Sequence, residues 1–110
     1  SDRPKIVDLL VRKDEYTHEE FAERWQGDHA DIAKDLPGLE RYVTSVPTRP
    51  EDADYDGVLE LYFEDMAALG EAFDSDVGAA VQEDAAEFID LGAGPQLIVE
   101  ETVQLDERHD

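Results

Sequence analysis

Cysteine is absent from the 110 residues, which removes disulfides, thiolate nucleophiles and cysteine-based metal sites together. Basic residues are scarce: nine Lys and Arg stand against thirty carboxylates, and the only lysines are Lys5, Lys13 and Lys34. Binding nucleic acid or an anionic membrane needs clustered Lys and Arg, so neither is expected as a partner. No apolar run approaches the roughly 18 residues of a membrane span. The first residues carry no basic segment followed by an apolar stretch, and a cytoplasmic protein is expected. The length suits one domain, residues 1–110, since two would each be too small to hold a core easily.

What the chain has in excess is negative charge, a net −21, with 41% hydrophobic residues to form an interior. Self-repulsion on this scale destabilises a compact state in dilute buffer. At roughly 1 M salt the screening length falls to about 3 Å and most of that repulsion disappears. The acids are spread along the chain rather than gathered into a tail. That pattern fits a halophilic protein of a salt-filled cytoplasm; an acidic surface made for basic partners is the alternative.

Hydrophobic periodicity orders the rest. Residues 5–13 read as a strand in which Val7, Leu9 and Val11 form an apolar set and Ile6, Asp8, Leu10 and Arg12 a mixed one. The first set is expected under the helices, the second at a cavity or interface. Thr17 and Glu20 make a capping box, and Phe21, Trp25, Ile32 and Leu36 follow on one helical stripe, with a bend expected at Gly27 and an end at Pro37-Gly38. Leu39 to Val46 is a second strand and Tyr55 to Glu64 a third, with Leu59, Leu61 and Phe63 on one face and Val58, Glu60 and Tyr62 on the other. Asp65 and Ser75 start further helical stretches, and Gln96 to Val103 is the last strand.

The order β-α-β-β-α-β predicts an α+β, ferredoxin-like sandwich: a four-stranded antiparallel sheet with helices on one face. The uncovered face, expected to carry Ile6, Asp8, Leu10, Val58, Glu60, Tyr62 and Ile98, is too apolar to sit in water. Pairing with the sheet of a second copy covers it and encloses a cavity, which predicts a homodimer.

The local motifs resemble the EthD-like family of dimeric α+β barrels. The matching pieces are Leu9-Leu10-Val11-Arg12-Lys13, then Glu20-Phe21 with Trp25 and His29-Ala30, and Leu36-Pro37-Gly38-Leu39 with Tyr42. Tyr55-Asp56-Gly57-Val58 with Glu60 and Phe63, Ala72-Phe73, and Glu87-Phe88-Ile89-Asp90 complete the series. The resemblance implies a small enzyme without cofactor, acting on a small hydrophobic oxygenated compound as an isomerase, cyclase, dehydratase or monooxygenase. It also implies that His29, four residues after the Trp, faces a cavity mouth. A non-catalytic binding protein and a structural or stress-associated dimer are the alternatives. Haem-handling proteins share the architecture, and a haem here would need His29 as its axial ligand.

Among candidate chemical groups, His29 falls on the edge of the Phe21, Trp25 and Ile32 stripe, and imidazole is the commonest acid/base near neutral pH. His18 and His109 are bland by position. Tyr62 and Glu60 share a strand face and are the expected catalytic companions of His29. Trp25, Tyr42, Asp8 and Arg12 are candidates for binding substrate, with Asp8 and Arg12 equally able to pair as structure. No metal is expected. The run Asp52-Ala53-Asp54-Tyr55-Asp56-Gly57 imitates the start of a calcium loop, but position twelve, where a bidentate Glu belongs, is Phe63.

Overall fold

A computed structural model describes residues 3–109. Strands β1 (Pro4–Leu10), β2 (Leu39–Ser45), β3 (Gly57–Phe63) and β4 (Gln96–Glu100) form one antiparallel sheet in the order β2-β3-β1-β4. Helices α1 (His18–Gln26) and α2 (Asp28–Ala33) lead from β1 to β2, and α3 (Met66–Asp74) and α4 (Asp76–Phe88) from β3 to β4. The expected ferredoxin-like sandwich, helices over one sheet face, is the observed one.

Local chemistry sets the helix limits. The Glu20 amide donates to Thr17 Oγ1 at 3.0 Å while the Thr17 amide donates to Glu20 Oε1 at 2.9 Å, the reciprocal capping box. Asp65 Oδ1 accepts from the Ala68 amide and Ser75 Oγ from the Gly78 amide, so α3 and α4 are both capped at their N-termini. Gly27 breaks α1 from α2; a Cβ there would lie 2.6 Å from the Glu23 carbonyl oxygen.

All four strands are shorter than their sequence patterns, β2 by a single residue. β1 stops at Leu10 because the Arg12 amide turns to Asp56 Oδ2, at 2.9 Å, while the Asp56 amide donates to the Leu10 carbonyl at 2.7 Å. The same exchange delays β3 until Gly57. β4 ends at Glu100, three residues before Val103, and Val103 is exposed.

The face assignment of β1 is the principal correction. Ile6 pairs with Leu61 and Asp8 with Leu59, while Val7 pairs with Glu60 and Lys5 with Tyr62. Directly opposed residues share a face, so Ile6, Asp8 and Leu10 lie under the helices with Leu59 and Leu61. Val7 and Leu9 lie on the uncovered face with Val58, Glu60 and Tyr62, the reverse of the expected arrangement. Ile98, opposite Ile6, follows it to the helix side, and Leu97, opposite Val7, takes the uncovered face. The purely apolar set of β1 misled because the uncovered face is itself apolar along its centre.

The core has two clusters, one of Ile6, Leu61 and Phe63 beneath α3 and one of Phe21, Trp25 and Phe88 between α1 and α4, with half-buried Leu59 packed against both. Gly57 makes room for Trp25, which is 1% exposed: a Cβ at Gly57 would meet Trp25 Cζ3 at 2.5 Å and Cη2 at 2.7 Å. Gly57→Ala should therefore cost about 1–3 kcal/mol by overpacking. Gly70→Ala, in α3 with nothing within 4 Å of the added methyl, should stabilise by up to about 1 kcal/mol. Denaturant unfolding in molar salt measures both, and equal midpoints for the two variants would contradict the packing described.

Candidate functional site

Between the sheet and the helices of a single protomer lies a cavity of about 380 Å³. Ile6, Asp8, Leu10, Leu59 and Leu61 form its sheet wall; Trp25, His29, Phe73, Val81 and Ala85 form its helix wall. Exposed Asp90, Leu91, Gly92 and Gln96 rim its mouth. This cavity lies inside one chain, on the side of the sheet opposite to the face expected to pair with a second copy.

His29 is the one buried polar residue among those described, at 5% exposure. It lies at the centre of the buried line Phe21, Trp25, His29 and Ala33, rather than on its edge, while Ile32 is only partly buried. The break at Gly27 restarts the helix one residue before it and keeps it on that line. His29 Nδ1 is 2.8 Å from Asp84 Oδ2 on α4, and its ring meets Phe88 edge-on at 5.2 Å. An ionised carboxylate can only accept, so Nδ1 carries the proton and Nε2 is the basic nitrogen of a ring that lines the cavity.

Asp84 is held in turn by Arg24, whose Nη2 donates to Asp84 Oδ1 at 2.6 Å and to Glu87 Oε1 at 3.0 Å. Burial works against the charge of Asp84, but the bonds from His29 and Arg24 outweigh it and hold this carboxyl below its ordinary range. A carboxylate that stays ionised stabilises an imidazolium formed beside it, the logic of a base oriented by a third group.

On the opposite wall, burial pushes the Asp8 carboxyl above its ordinary range, partly offset by the bond from Gln96 Nε2 to Asp8 Oδ2 at 3.0 Å. The site therefore sets a fixed imidazole and a half-buried carboxyl around one apolar space. That arrangement can take a proton from a bound molecule and return one elsewhere on it.

The EthD domain family matches residues 13–92. The chain belongs to the EthD family. An ethyl tert-butyl ether D family protein from Bacillus halodurans, 24% identical, superposes with a TM-score of 0.77, covering 91% of this chain and 99% of its own. SnoaB, a cofactor-independent oxygenase from Streptomyces nogalater, is 16% identical with a TM-score of 0.71, covering 97% of this chain and 100% of its own. A dimeric ferredoxin-like protein from Thermobifida fusca is 12% identical with a TM-score of 0.72, over 90% of this chain and 91% of its own. No curated protein matches the chain.

In this EthD domain the other sequence-predicted residues divide by sheet face. Trp25 and Asp8 line the cavity with His29. Tyr62 and Glu60 do not: both lie on the uncovered face, so the expected grouping of His29 with Tyr62 and Glu60 is replaced by His29 with Asp8. The reason is strand alternation, since Leu59 and Leu61 take the cavity side of β3. Lys5 Nζ instead draws Tyr62 and Glu60 together, 2.7 Å from Glu60 Oε2, 3.2 Å from Tyr62 Oη and 2.9 Å from Glu101 Oε2. Burial alone would lower the Lys5 ammonium; these bonds outweigh it and hold it well above its ordinary range.

Arg12 is structural, donating from Nη1 to the Tyr16 carbonyl at 2.6 Å and lying with Nε 3.5 Å from Asp56 Oδ1. The Arg12 Nε contact is too poorly aligned to count as a hydrogen bond. Tyr42 packs against the core rather than the cavity. Its hydroxyl is buried, finds no partner among the described residues, and is pushed up to about 12 by burial. No cluster of three or more His, Asp or Glu able to hold a metal occurs among the described residues.

Sequence reasoning missed Asp84, Arg24 and Gln96. Asp84 stands three residues after Val81 and four before Phe88, on the flank of the apolar stripe of α4. That spacing was the available signal, hidden among thirty acids.

Because the folded pKa of Asp84 is depressed, its stabilisation is present above the ordinary value of 3.8 and is lost as pH falls through the lowered one. Asp84→Asn should cost about 1–3 kcal/mol at pH 7, and the difference from wild type should shrink once the pH drops below 3.8. Paired unfolding curves in molar salt from neutral to about pH 3 test this. A gap that is absent at neutral pH, or undiminished at the acid end, would count against the pairing.

Proposed function

We propose that this EthD domain is a cofactor-independent acid/base enzyme acting on a small, apolar, oxygenated molecule held between sheet and helices. The observation that carries this reading is the buried His29, fixed by Asp84, on the wall of a 380 Å³ cavity that also holds Asp8. A cavity of a few hundred Å³ lined by apolar side chains and a few polar groups is the ordinary form of a small-molecule site. Nε2 of His29 takes a proton from an activated C–H or O–H of the substrate. Asp84 stabilises the imidazolium, which returns the proton at a second position, while Asp8 accepts a hydrogen bond from the substrate. Isomerisation, cyclisation and dehydration all need this pair of transfers, and an oxygenation without cofactor also begins with the first. SnoaB, a cofactor-independent oxygenase on the same fold, supports the class and leaves the reaction open.

The second reading is a carrier that sequesters such a molecule in the same cavity without transforming it. His29→Gln separates the two, because glutamine keeps a hydrogen bond to Asp84 but cannot shuttle a proton. A panel of lactones, 1,3-dicarbonyl compounds and hydroquinones, assayed by absorbance and by deuterium uptake from D2O, should reveal turnover by the wild type. His29→Gln should lower that rate by about 10²–10⁴-fold. An unchanged rate in the variant would remove His29 from the chemistry, and binding without turnover would favour the carrier.

The same reading makes the protein a homodimer. The uncovered face carries Val7, Leu9, Val43 and Val58 around the Lys5–Glu60–Tyr62 cluster, and no helix of the described residues lies over it. The Thermobifida fusca neighbour, described as dimeric, supports this pairing. The net charge of −21 supports a salt-filled cytoplasm as the setting for such a dimer, since salt screens the repulsion between the copies. Light scattering in molar KCl should give about twice the 12.4 kDa chain mass. A monomer at micromolar concentration would end the sheet-to-sheet proposal.

A further inference from the structure

The acids that line the cavity are not matched there by Lys or Arg. Asp8, Asp90, His29, Gln82 and Gln96 are its polar lining, and no Lys or Arg lines it among the described residues. The nearby cations are already engaged elsewhere. The Arg24 guanidinium is bound to Asp84 and Glu87, Arg12 to the Tyr16 carbonyl and Asp56, and Lys5 stands on the opposite face of the sheet with Glu60 and Glu101. Asp8 takes the Gln96 amide on Oδ2, while its Oδ1 accepts from no described residue and is not among the buried unpartnered atoms.

An organic anion entering this space would leave water, find no Lys or Arg as counter-charge and approach a carboxylate. An uncharged molecule bearing an O–H or N–H would meet the free oxygen of Asp8 as an acceptor. We propose that the cavity selects uncharged apolar molecules that carry a hydrogen-bond donor and rejects organic carboxylates and sulfonates, with Asp8 as the selecting group. This rests on the reading of the cavity as a ligand site and adds what that site accepts. It narrows the substrate to an alcohol, phenol, enol or hydroxylated lactone, and makes a free acid the form that must be esterified or otherwise neutralised before it can bind. Specificity here comes from an unfavourable element as much as from a favourable one.

Two fluorescent probes differing by one sulfonate test the charge rule: N-phenyl-1-naphthylamine, uncharged and carrying an N–H, and 8-anilino-1-naphthalenesulfonate. Titrations belong in ~2 M KCl, where the screening length is below about 3 Å and the overall charge of the protein no longer repels the anion at range. The neutral probe should bind more tightly by about tenfold or more. Asp8→Asn, nearly isosteric, keeps the bond from Gln96 on its amide oxygen and sets an NH2 group where the free carboxylate oxygen stood, so it should close most of that gap by strengthening the sulfonate and weakening the neutral N–H probe. Should that variant fold poorly by circular dichroism, Asp90→Asn at the mouth should narrow the gap in the same direction. For the donor, 2-naphthol should displace the neutral probe at lower concentration than 2-methoxynaphthalene. Equal affinity of the two probes for wild type would overturn the selectivity and leave the cavity as a binding site. A gap unmoved by both substitutions would overturn the assignment to the cavity carboxylates, and equal displacement by the two naphthalenes would overturn the donor requirement. Absence of binding by either probe would overturn the ligand site itself.

Discussion

Successive residues of β1 leave opposite faces of the sheet, and β1 is an inner strand hydrogen-bonded to β3 on one side and β4 on the other. Its parity therefore fixes the chemistry of both faces at once. With Ile6 and Leu10 turned towards the helices, the residue between them, Asp8, has to enter the same space, and the helix layer closes over a carboxyl group. With Lys5 turned the other way, an ammonium lands beside Glu60 and Tyr62 on the uncovered face. A slip of one residue would bury the lysine under the helices and set Asp8 on the open face, emptying the cavity of its acid.

The helix layer is braced by a second polar chain. Arg24 on α1, His29 on α2, and Asp84 and Glu87 on α4 bond in sequence, and Phe88 receives the His29 ring on its edge and the Arg24 guanidinium at 5.1 Å. Each member is needed for the next: without Arg24 the buried side of Asp84 would carry an uncompensated charge, and without Asp84 the His29 ring would have no fixed tautomer. A polar network satisfied in this way can hold a functional ring rigidly while leaving one of its nitrogens unspent. Arg24, Asp84 and Glu87 do not line the cavity, so they orient the imidazole without filling the space a ligand would use.

Nine basic residues among thirty acids make every cation a scarce partner. Lys5, Arg12 and Arg24 are all half-buried and paired, each joining segments distant in sequence: β1 to β3 and the C-terminal segment, the end of β1 to the turn before β3, and α1 to α4. Arg108 and Lys34, by contrast, pair only with acids two or three residues away at the surface, where an ion pair contributes little. The surplus acids are left on the surface.

The sequence by itself determined the elements, their order and the family, because capping boxes, helical stripes and strand alternation are local patterns that need no knowledge of the partner segment. The cap at Thr17, the break at Gly27 and the two faces of β3 were all legible in this way. It also put Trp25 on the inward side of its helix and His29 at the edge of that stripe; the restart of the helix after Gly27 then carried His29 to the centre of the buried line. Which face of β1 meets the helices was decided only by pairing: both of its residue sets are apolar enough to be covered, and register with β3 chose between them. That choice separated Tyr62 and Glu60 from His29 and gave Asp8 in their place. Asp84 became the partner of His29 only when α4 packed across α2, a contact spanning 55 residues that no spacing within either helix encodes.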